Sequence, residues 1–242
     1  MTIHETRDFT LLPWDSELFG FQVARLHPEC VTGERLSKAI ENLQAEGIRL
    51  AYANLPWSDD TARALLDRVG ASMVDRKILF KKCLSAPFGT PKGVGIWPDL
   101  KCTPELEALA LTSGHLSRFL RDPKVPGHVF PNLYIQWIQR SVRREIADAV
   151  LVAKEAGVLA GMVTLAVDGD LGNIGLIAVA EGYWGRGIGR RLMVAAEAFC
   201  AARKSKWLNV VTQGANQAAC ALYTSCGFAL AEEYAVYHIW VA

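Results

Sequence analysis

The feature that most constrains the fold of this 242-residue chain is a glycine-rich segment between a strand pattern and a helix pattern. From Glu181 to Met193 it reads EGYWGRGIGRRLM, with four glycines and three arginines. The apolar run IGLIAVA precedes it, and a helical pattern follows from about Ile188 to Arg203. Glycine disfavours helix and loses backbone entropy on folding, so this cluster indicates that a ligand approaches the backbone closely.

An anion suits such a turn, because the free N–H groups and the positive dipole end of the helix face it. Gly185, Gly187 and Gly189 have no Cβ atom to hold a phosphate away from the backbone. Arg186 and Arg190 can add charge-assisted hydrogen bonds. The alternative is that the glycines only form a tight turn between a strand and a helix. No GxxxxGK[ST] motif is present, and the elements of a dinucleotide-binding fingerprint are missing around this turn.

The composition of the chain indicates that an anion site would depend on a few positive groups close together and not on a high net charge. The formal net charge is +1, and 51% of the residues are hydrophobic, which excludes the strongly basic balance of a nucleic-acid-binding protein. The start MTIHETRDFT lacks the features of a leader, and the apolar run VLAGMVTLAV is too short to span a bilayer. The six cysteines form no CxxC pair and the five histidines lie far apart, so no metal site is predicted. We expect a cytoplasmic protein without a membrane or nucleic-acid partner.

The segment SAPFGTPKGVGIWPD concentrates prolines and glycines, which is typical of a linker. It predicts a smaller α/β domain over residues 1–92 and a second domain over residues 93–242. In the second domain Thr103 and Pro104 begin a helix, and a second helix is predicted from Pro131 to Ile146. The basic stretch SRFLRDPKVPGHVF between them is predicted to be a loop. A hairpin follows at AVLVAKEAGVLAGMVTLAV.

The order of three segments resembles the acetyl-CoA signature of the GNAT superfamily of N-acyltransferases: IAVAEGYWGRGIGRRLM, the strand WLNVVT, and NQAACALYTSCGF from Asn216. In that superfamily the pattern [RQ]xxGxG/A binds the coenzyme A pyrophosphate through backbone N–H groups. Trp184 stands where Arg or Gln is usual, and we expect this departure to remove nothing essential. The resemblance, from about Thr103 onwards, implies an α/β (α+β) fold. Its sheet is mixed and mainly antiparallel with helices on both faces, and the N-terminal domain is a partial GNAT-like unit on the acceptor side.

The resemblance also implies which residues contact acetyl-CoA. The end of the strand IGLIAVA would separate from WLNVVT and offer N–H groups to the thioester carbonyl, the alternative being a fully paired core strand. The predicted acetyl-CoA-binding residues are Ile177, Ala178, Val179, Trp184, Gly185, Arg186, Gly187, Ile188, Gly189, Arg190 and Asn216.

Tyr223 is predicted to be the general acid that protonates the leaving thiolate, by its place in the pattern NxxAxxLY. Packing alone would also explain a tyrosine there. Asn216 is expected to cap the helix and to touch the pantetheine arm. No side chain stands out as a general base, so ordered water is the expected proton route.

A finer resemblance extends over nearly the whole chain. Four segments together resemble the dTDP-fucosamine acetyltransferases, a group that acetylates the 4-amine of a dTDP-4-amino-4,6-dideoxyhexose: LPWDSELFGFQVARL, HLSRF, YIQWIQRSV and VVTQGANQAACALYTSCGF. It implies that Arg118, Arg121 and Tyr134 contact the acceptor, with the arginines on its diphosphate. Solvated surface charge is the alternative for each arginine.

The predicted function is therefore acetyl transfer from acetyl-CoA, without a metal, to the amine of a dTDP-linked amino sugar. Two alternatives remain open: acetylation of another amine, such as a peptide N-terminus or an aminoglycoside, and a non-catalytic module that binds acetyl-CoA. A homodimer is one of the oligomeric states left open.

Overall fold

The computed structural model describes residues 8–85, 89 and 91–241. Part of the predicted linker, residues 86–88 and 90, lies outside the described residues. The helices are α1 (Pro13–Phe19), α2 (Gly33–Ala45), α3 (Asp60–Arg68), α4 (Pro104–Ser113), α5 (Arg118–Arg121), α6 (Val129–Val142), α7 (Ile188–Ala202) and α8 (Gln217–Ser225). The strands are β1 (Phe9–Leu11), β2 (Val23–Leu26), β3 (Leu50–Pro56), β4 (Ser72–Cys83), β5 (Val94–Ile96), β6 (Ala149–Glu155), β7 (Val158–Asp168), β8 (Leu171–Val179), β9 (Trp207–Gln213) and β10 (Ala229–Trp240).

The predicted fold class is confirmed, because the strands are mixed and mainly antiparallel and the fold is α+β. Two predicted elements differ in detail. The segment between the first two helices of the second half is not only loop, since it contains the short helix α5. The helix predicted from Pro131 to Ile146 is shifted to α6, Val129–Val142. It ends early because Arg144 adopts a left-handed backbone with φ of 61°, which a continuing helix cannot contain.

The chain forms two compact units that interleave in sequence. The first comprises residues up to 77, 118–129 and those from 232 onwards, and the second comprises residues 78–117 and 130–231. The composition of the linker predicts one division near residue 92, and that division stays a prediction.

The first unit has its strands in the order β1-β2-β3-β10. β2 and β3 are parallel, whereas β3 and β10 are antiparallel, with Leu50 opposite Trp240. Alternate residues of these strands pack against α2 and α3, which supply Leu36, Leu43 and Leu66 to the core. All three leucines are at most 1% exposed. The apolar faces of two amphipathic helices therefore cover one side of this group of strands.

The second unit has its strands in the order β4-β9-β8-β7-β6-β5, with only the part of β4 from Ile78 onwards belonging to it. Every residue of β6 from Ala149 to Ala153 is buried. Since successive side chains of a strand point to opposite sides, both faces of β6 must be covered. α7 packs on the face that contains Leu151, through Ile188 and Leu192. A strand buried on both faces has a continuous apolar run instead of an alternating pattern, which is what β6 shows.

An irregularity in β8 sets the shape of the second unit. Ile177 pairs with Val163 but Ile174 pairs with Leu165, so β8 has one residue more than β7 between these pairs. This is a β-bulge, which bends its strand and increases the local twist. The Thr164 hydroxyl, 1% exposed, accepts the Leu176 N–H at 2.8 Å. The bulge therefore has its freed donor satisfied in the core.

Glycine is required beside this bulge. A Cβ atom at Gly175 would lie 2.8 Å from the Thr164 hydroxyl oxygen, closer than real Cβ contacts. A larger residue would displace the hydroxyl that accepts the Leu176 N–H. The pairing of β8 with β9 stops at Ile174, the last residue before the bulge. The bend in β8 thus coincides with the separation of the two strands.

Candidate functional site

A gap opens between β8 and β9 beyond the bulge, as the sequence predicts. Their pairing ends at Ile174 and Val210, although both strands continue. On its other side β8 remains paired with β7, to which the Ala180 N–H donates at 2.9 Å. Because N–H groups alternate in direction along a strand, those of Ile177 and Val179 point away from β7 and into the gap. Two backbone donors are therefore directed at anything that enters between the strands.

The glycine-rich turn follows directly at the end of β8. Gly185 and Gly187 both have φ of 74°, a left-handed conformation that residues with a Cβ atom rarely adopt. Gly187 is the N-cap of α7 and offers no side-chain cap, so the first N–H groups of the helix remain available. A fifteen-residue helix directs its positive end at this turn. The turn thus has the backbone conformation and the free helix N-terminus on which the predicted anion site depends, and its binding of an anion stays a prediction.

Trp184, which departs from the family pattern, has a structural role in this turn. Its indole N–H donates to the Val179 carbonyl at 2.8 Å, while 61% of the residue is exposed. In a strand, the carbonyl of a residue points to the same side as its N–H, so the Val179 carbonyl faces the gap. The Trp184 indole, which donates to this carbonyl, therefore lies at the outer end of the gap and closes it. The indole therefore fixes the turn relative to β8 and presents an exposed aromatic surface.

Gly189 has a packing reason of its own. A Cβ atom there would lie 3.1 Å from the Leu222 side chain, so a glycine lets α7 approach α8 closely. Gly185 and Gly187 have no such neighbour within 4 Å, and their reason is conformational. Gly189 therefore serves the packing of the two helices, whereas Gly185 and Gly187 serve the backbone conformation of the turn. Only Gly185 and Gly187 leave space for an anion there.

The arginines around the turn also divide in function. Arg191 donates to the Lys92 carbonyl at 3.2 Å and pairs with Glu155, so it joins α7 to neighbouring strands. Arg190 is exposed and donates to the Ser225 carbonyl at 3.2 Å. Arg186 is exposed, with its guanidinium 5.2 Å from the Tyr183 ring. Arg186 and Arg190 are thus exposed beside the turn, whereas Arg191 is structural.

The gap and the turn open into one cavity of about 590 Å³. A volume of this size is typical of a small-molecule site. It is lined by Thr112, Ser113, His115, Ile177, Ala178, Val179, Tyr183, Trp184, Gly185, Gly187, Ile188, Gly189, Arg190, Asn216, Ala218 and Leu222. Of the residues predicted to bind acetyl-CoA, only Arg186 is not part of this lining. Asn216 is at the same time the N-cap of α8, where its side chain accepts the Ala219 N–H at 3.1 Å.

Tyr223 is not part of the cavity lining, although its neighbour Leu222 is. The Tyr223 ring lies in the core, 2% exposed, with its centroid 5.6 Å from that of Phe80 and 6.3 Å from that of Phe228. Burial raises the pKa of the Tyr223 phenol, and negative charge on the neighbouring thiols of Cys220 and Cys226 would raise it further. The phenol therefore stays protonated at neutral pH, as a general acid must. Its catalytic role stays a prediction.

Sequence reasoning missed the contribution of α4 to the cavity. Thr112, Ser113 and His115, at and just beyond the C-terminal end of α4, line it. Nδ1 of the exposed His115 lies 3.0 Å from the Thr112 carbonyl, which can only accept, so Nδ1 carries the proton. The neutral form of the ring therefore has its lone pair on Nε2. The segment HLSRF does place an imidazole directly after the end of a helix. The sequence could not show, however, that this end of α4 lies against β8.

The three predicted acceptor residues lie in different surroundings. Arg118 and Arg121 belong to the first unit, and Tyr134 belongs to the second. Tyr134 is 7% exposed and its ring stacks on that of Trp137, with centroids 6.1 Å apart. A Cβ atom at Gly114 would meet the Tyr134 ring at 2.4 Å, so the ring covers this glycine. None of the three lines the 590 Å³ cavity, and their contact with an acceptor stays a prediction.

Two structural findings concern other kinds of site. Among the described residues, no helix combines the length and the apolar character needed to cross a bilayer. The same part of the chain contains no group of three or more His, Cys, Asp or Glu residues that could hold a metal ion.

Solved structures share this fold at low sequence identity. A functionally unknown conserved protein from Staphylococcus epidermidis ATCC 12228 is 16% identical, with a TM-score of 0.67 over 100% of this chain and 94% of its own. A GCN5-related N-acetyltransferase from Sphaerobacter thermophilus is 16% identical, with a TM-score of 0.60 over 91% and 73%. A tandem GNAT protein from the clavulanic acid biosynthesis pathway is 13% identical, with a TM-score of 0.56 over 97% and 79%. The fold is therefore GNAT-like over the full chain.

A family comparison adds the class of activity. Residues 116–228 match the acetyltransferase (GNAT) family, and this segment contains the gap, the turn and Tyr223. A search of the curated proteins finds no match. The candidate site therefore lies in a segment that is similar to the acetyltransferase (GNAT) family, whose members typically use acetyl-CoA.

Replacing Gly187 by Ala should weaken acetyl-CoA binding more than tenfold, which corresponds to about 1.4 kcal/mol. The left-handed conformation at Gly187 is costly for alanine, so the turn relaxes and its N–H groups lose their alignment. Calorimetric titration with acetyl-CoA measures the effect. Gly70, with φ of 76° and no neighbour within 4 Å, allows a matched control: Gly70→Ala introduces the same strain away from the turn and should leave the affinity unchanged. Equal affinities of the two variants would disprove the assignment of the turn.

Proposed function

We propose that the protein transfers the acetyl group of acetyl-CoA directly to the amine of a dTDP-linked 4-amino-4,6-dideoxyhexose. The observation that best supports acetyl transfer is the gap between β8 and β9, with the glycine-rich turn at its end. The sugar nucleotide is supported by the resemblance of LPWDSELFGFQVARL, HLSRF and YIQWIQRSV to the dTDP-fucosamine acetyltransferases. The expected cytoplasmic location belongs to the same proposal.

The gap suits the thioester end of acetyl-CoA. The Ile177 and Val179 N–H groups are fixed by a strand that stays paired with β7 on its other side. Donors fixed in this way stabilise the oxygen of a thioester carbonyl as it gains negative charge under attack by the amine. Gly185, Gly187 and Arg190, which also line the cavity, would hold the pyrophosphate. The acetyl-CoA molecule would thus be held at both ends, which orients the carbonyl for attack.

Direct transfer also needs a proton donor and a proton acceptor. Tyr223 is the proposed donor to the departing thiolate, because burial keeps its phenol protonated. The amine must lose a proton as the new C–N bond forms, and Nε2 of His115 offers a lone pair in the cavity wall. Ordered water, the route expected from the sequence, can carry the proton to this nitrogen.

The acceptor side of the proposal rests on the arginines of α5. Arg121 is exposed, which leaves its guanidinium available to a diphosphate. Arg118 is held over the Tyr52 ring, with its guanidinium carbon 4.2 Å from the ring centroid. Tyr134 is the third proposed contact. The alternatives are a GNAT enzyme for another amine, such as a peptide N-terminus or an aminoglycoside, and a module that binds acetyl-CoA without turnover.

Changing Tyr223 to Phe should lower turnover roughly 10²–10⁴-fold and leave acetyl-CoA affinity nearly unchanged, because a general acid acts in the transition state. Tyr183→Phe is the matched control, since Tyr183 lines the cavity but is not assigned to proton transfer. Steady-state thiol release and calorimetry measure the two effects. If Tyr183→Phe lowers turnover and Tyr223→Phe does not, the general acid is Tyr183. If neither changes turnover, water protonates the thiolate.

The acceptor is tested by thiol release from acetyl-CoA with a panel of dTDP-amino sugars, an aminoglycoside and a peptide. We expect turnover with a dTDP-4-amino-4,6-dideoxyhexose, and a KM for that sugar at least tenfold higher in Arg121→Ala. Arg68→Ala, which removes another exposed arginine from α3, should leave this KM unchanged. Turnover with only the peptide or the aminoglycoside would refute the sugar nucleotide. Acetyl-CoA binding without turnover of any amine would favour the non-catalytic module.

A further inference from the structure

Three polar residues at the C-terminal end of α4 line the cavity of about 590 Å³: Thr112, Ser113 and His115. All three belong to the second unit, which also contains β8 and the glycine-rich turn. A hydroxyl group and a neutral imidazole each combine a hydrogen-bond donor with an acceptor. The contacts of these three side chains with the backbone of α4 decide which of the two roles remains for a ligand in the cavity.

The two hydroxyl groups have their single hydrogens engaged by the helix. The Thr112 hydroxyl donates to the Ala108 carbonyl at 2.9 Å, and the Ser113 hydroxyl donates to the Ala110 carbonyl at 2.6 Å. A carbonyl oxygen can only accept, so the hydrogen of each hydroxyl is used within α4. Each oxygen keeps lone pairs and can therefore act toward a ligand only as an acceptor.

His115 is directed in the same way. Its Nδ1 lies 3.0 Å from the Thr112 carbonyl, which places the proton of the neutral ring on Nδ1 and its lone pair on Nε2. The end of α4 thus offers three acceptor atoms: Oγ1 of Thr112, Oγ of Ser113 and Nε2 of His115. Three neighbouring polar groups whose hydrogens are all engaged by one helix match a ligand that brings several donors of its own.

Other elements that line the cavity supply donors. Ile177 and Val179 direct their N–H groups into the gap, and the turn adds the first N–H groups of α7 and the guanidinium of Arg190. Donors suit the electron-rich parts of acetyl-CoA, which are the thioester oxygen and the pyrophosphate. In the proposed transfer these donors serve acetyl-CoA, and the acceptors of α4 are left for the second substrate, the amine.

The charge of the lining fits an amine that is about to attack. An amine attacks a thioester through the lone pair of its neutral form, whereas a neighbouring carboxylate favours the charged ammonium form. Among the described residues that line the cavity, none is Asp or Glu, and Arg190 supplies a positive charge. Neutral oxygen and nitrogen acceptors can hold N–H groups without stabilising the ammonium form as a carboxylate would.

We propose that the end of α4 is the subsite of the acceptor amine and that it selects a primary amine with a hydroxyl group on the neighbouring carbon. When the lone pair of a neutral primary amine points at the thioester carbon, its two N–H groups remain, and the neighbouring hydroxyl adds a third donor. One N–H is directed at Nε2 of His115, and the other two donors meet the hydroxyl oxygens of Thr112 and Ser113. A 4-amino-4,6-dideoxyhexose has such a hydroxyl beside its amine. The subsite rests on the proposed acetyl transfer and names the residues that recognise its second substrate.

This placement accounts for every electron pair and proton of the transfer. The nitrogen lone pair forms the C–N bond, the C–S bond breaks with its electron pair on sulfur, and the N–H proton passes to Nε2 of His115. The sulfur takes the proton of Tyr223, and solvent returns a proton from the imidazolium to the phenolate. Thr112 and Ser113 exchange no proton in this sequence. They are binding residues, so their loss should raise the KM of the amine more than it lowers kcat.

The test uses a matched set of cyclic amines: the cis and trans isomers of 2-aminocyclohexanol, cyclohexylamine, which lacks the hydroxyl, and 2-(methylamino)cyclohexanol, whose amine is secondary. Calorimetric titration of the full chain, with and without saturating coenzyme A, measures their binding without turnover. We expect at least one isomer of 2-aminocyclohexanol to bind at least about fivefold more tightly than the other two amines. Thiol release from acetyl-CoA with the same amines gives the KM and kcat of transfer.

Two variants test the hydroxyl oxygens. Thr112→Val and Ser113→Ala should each weaken the binding of 2-aminocyclohexanol at least about fivefold and leave acetyl-CoA affinity unchanged, whereas Thr112→Ser retains the hydroxyl and should retain the affinity. Ser225→Ala is the matched control, because the Ser225 hydroxyl donates to the Leu222 carbonyl at 2.8 Å but Ser225 is not part of the cavity lining. It should change neither affinity. A structural role of the two hydroxyls would instead lower the thermal midpoint and leave the selectivity among the amines unchanged.

Three results would overturn the proposal: no saturable binding of either isomer of 2-aminocyclohexanol, equal binding of all the amines, or wild-type affinity in both Thr112→Val and Ser113→Ala. Selective binding without thiol release would support the subsite and refute the proposed transfer. Thiol release with a KM that is the same in both variants as in the wild type would support the transfer and refute the subsite.

Discussion

The hydrogen bond from the Leu176 N–H to the Thr164 hydroxyl is the interaction on which the arrangement of the proposed acetyl-CoA site depends. A bulge in a central strand frees a backbone donor, and leaving such a donor unpaired in a core costs about 1–3 kcal/mol. The hydroxyl satisfies it, and Gly175 provides the space. With the bulge stable, β8 can bend away from β9 while it remains paired with β7. The gap, its two inward N–H groups and the position of the turn all follow from that bend.

The positive charge of the proposed site is local, as binding of a polyanion by a chain with a formal net charge of +1 would require. The N-terminal end of α7, the two left-handed glycines and the exposed Arg186 and Arg190 concentrate positive potential at one turn.

The sequence predicted the features that depend on neighbouring residues and missed those that depend on distant ones. The turn, the beginning of α7 and the Asn216 cap were all predictable, because glycines and capping residues act within a few positions. The separation of the strands was implied by family resemblance, but its cause was not, since Thr164 and Leu176 meet only through strand register. The same holds for the end of α4 in the lining of the cavity, because α4 and β8 lie far apart in the chain.

The proposed transfer requires that the N–H groups of Ile177 and Val179 are open in the free protein and are covered when acetyl-CoA binds. Amide hydrogen exchange at these two residues can be measured by NMR with and without saturating acetyl-CoA. We expect fast exchange in the free protein and strong protection in the complex. Thr164→Val, which removes the acceptor of the bulge, should diminish this protection. Slow exchange of both amides in the free protein, or no added protection at saturation, would contradict the account, because the strands would then be closed or the thioester bound elsewhere.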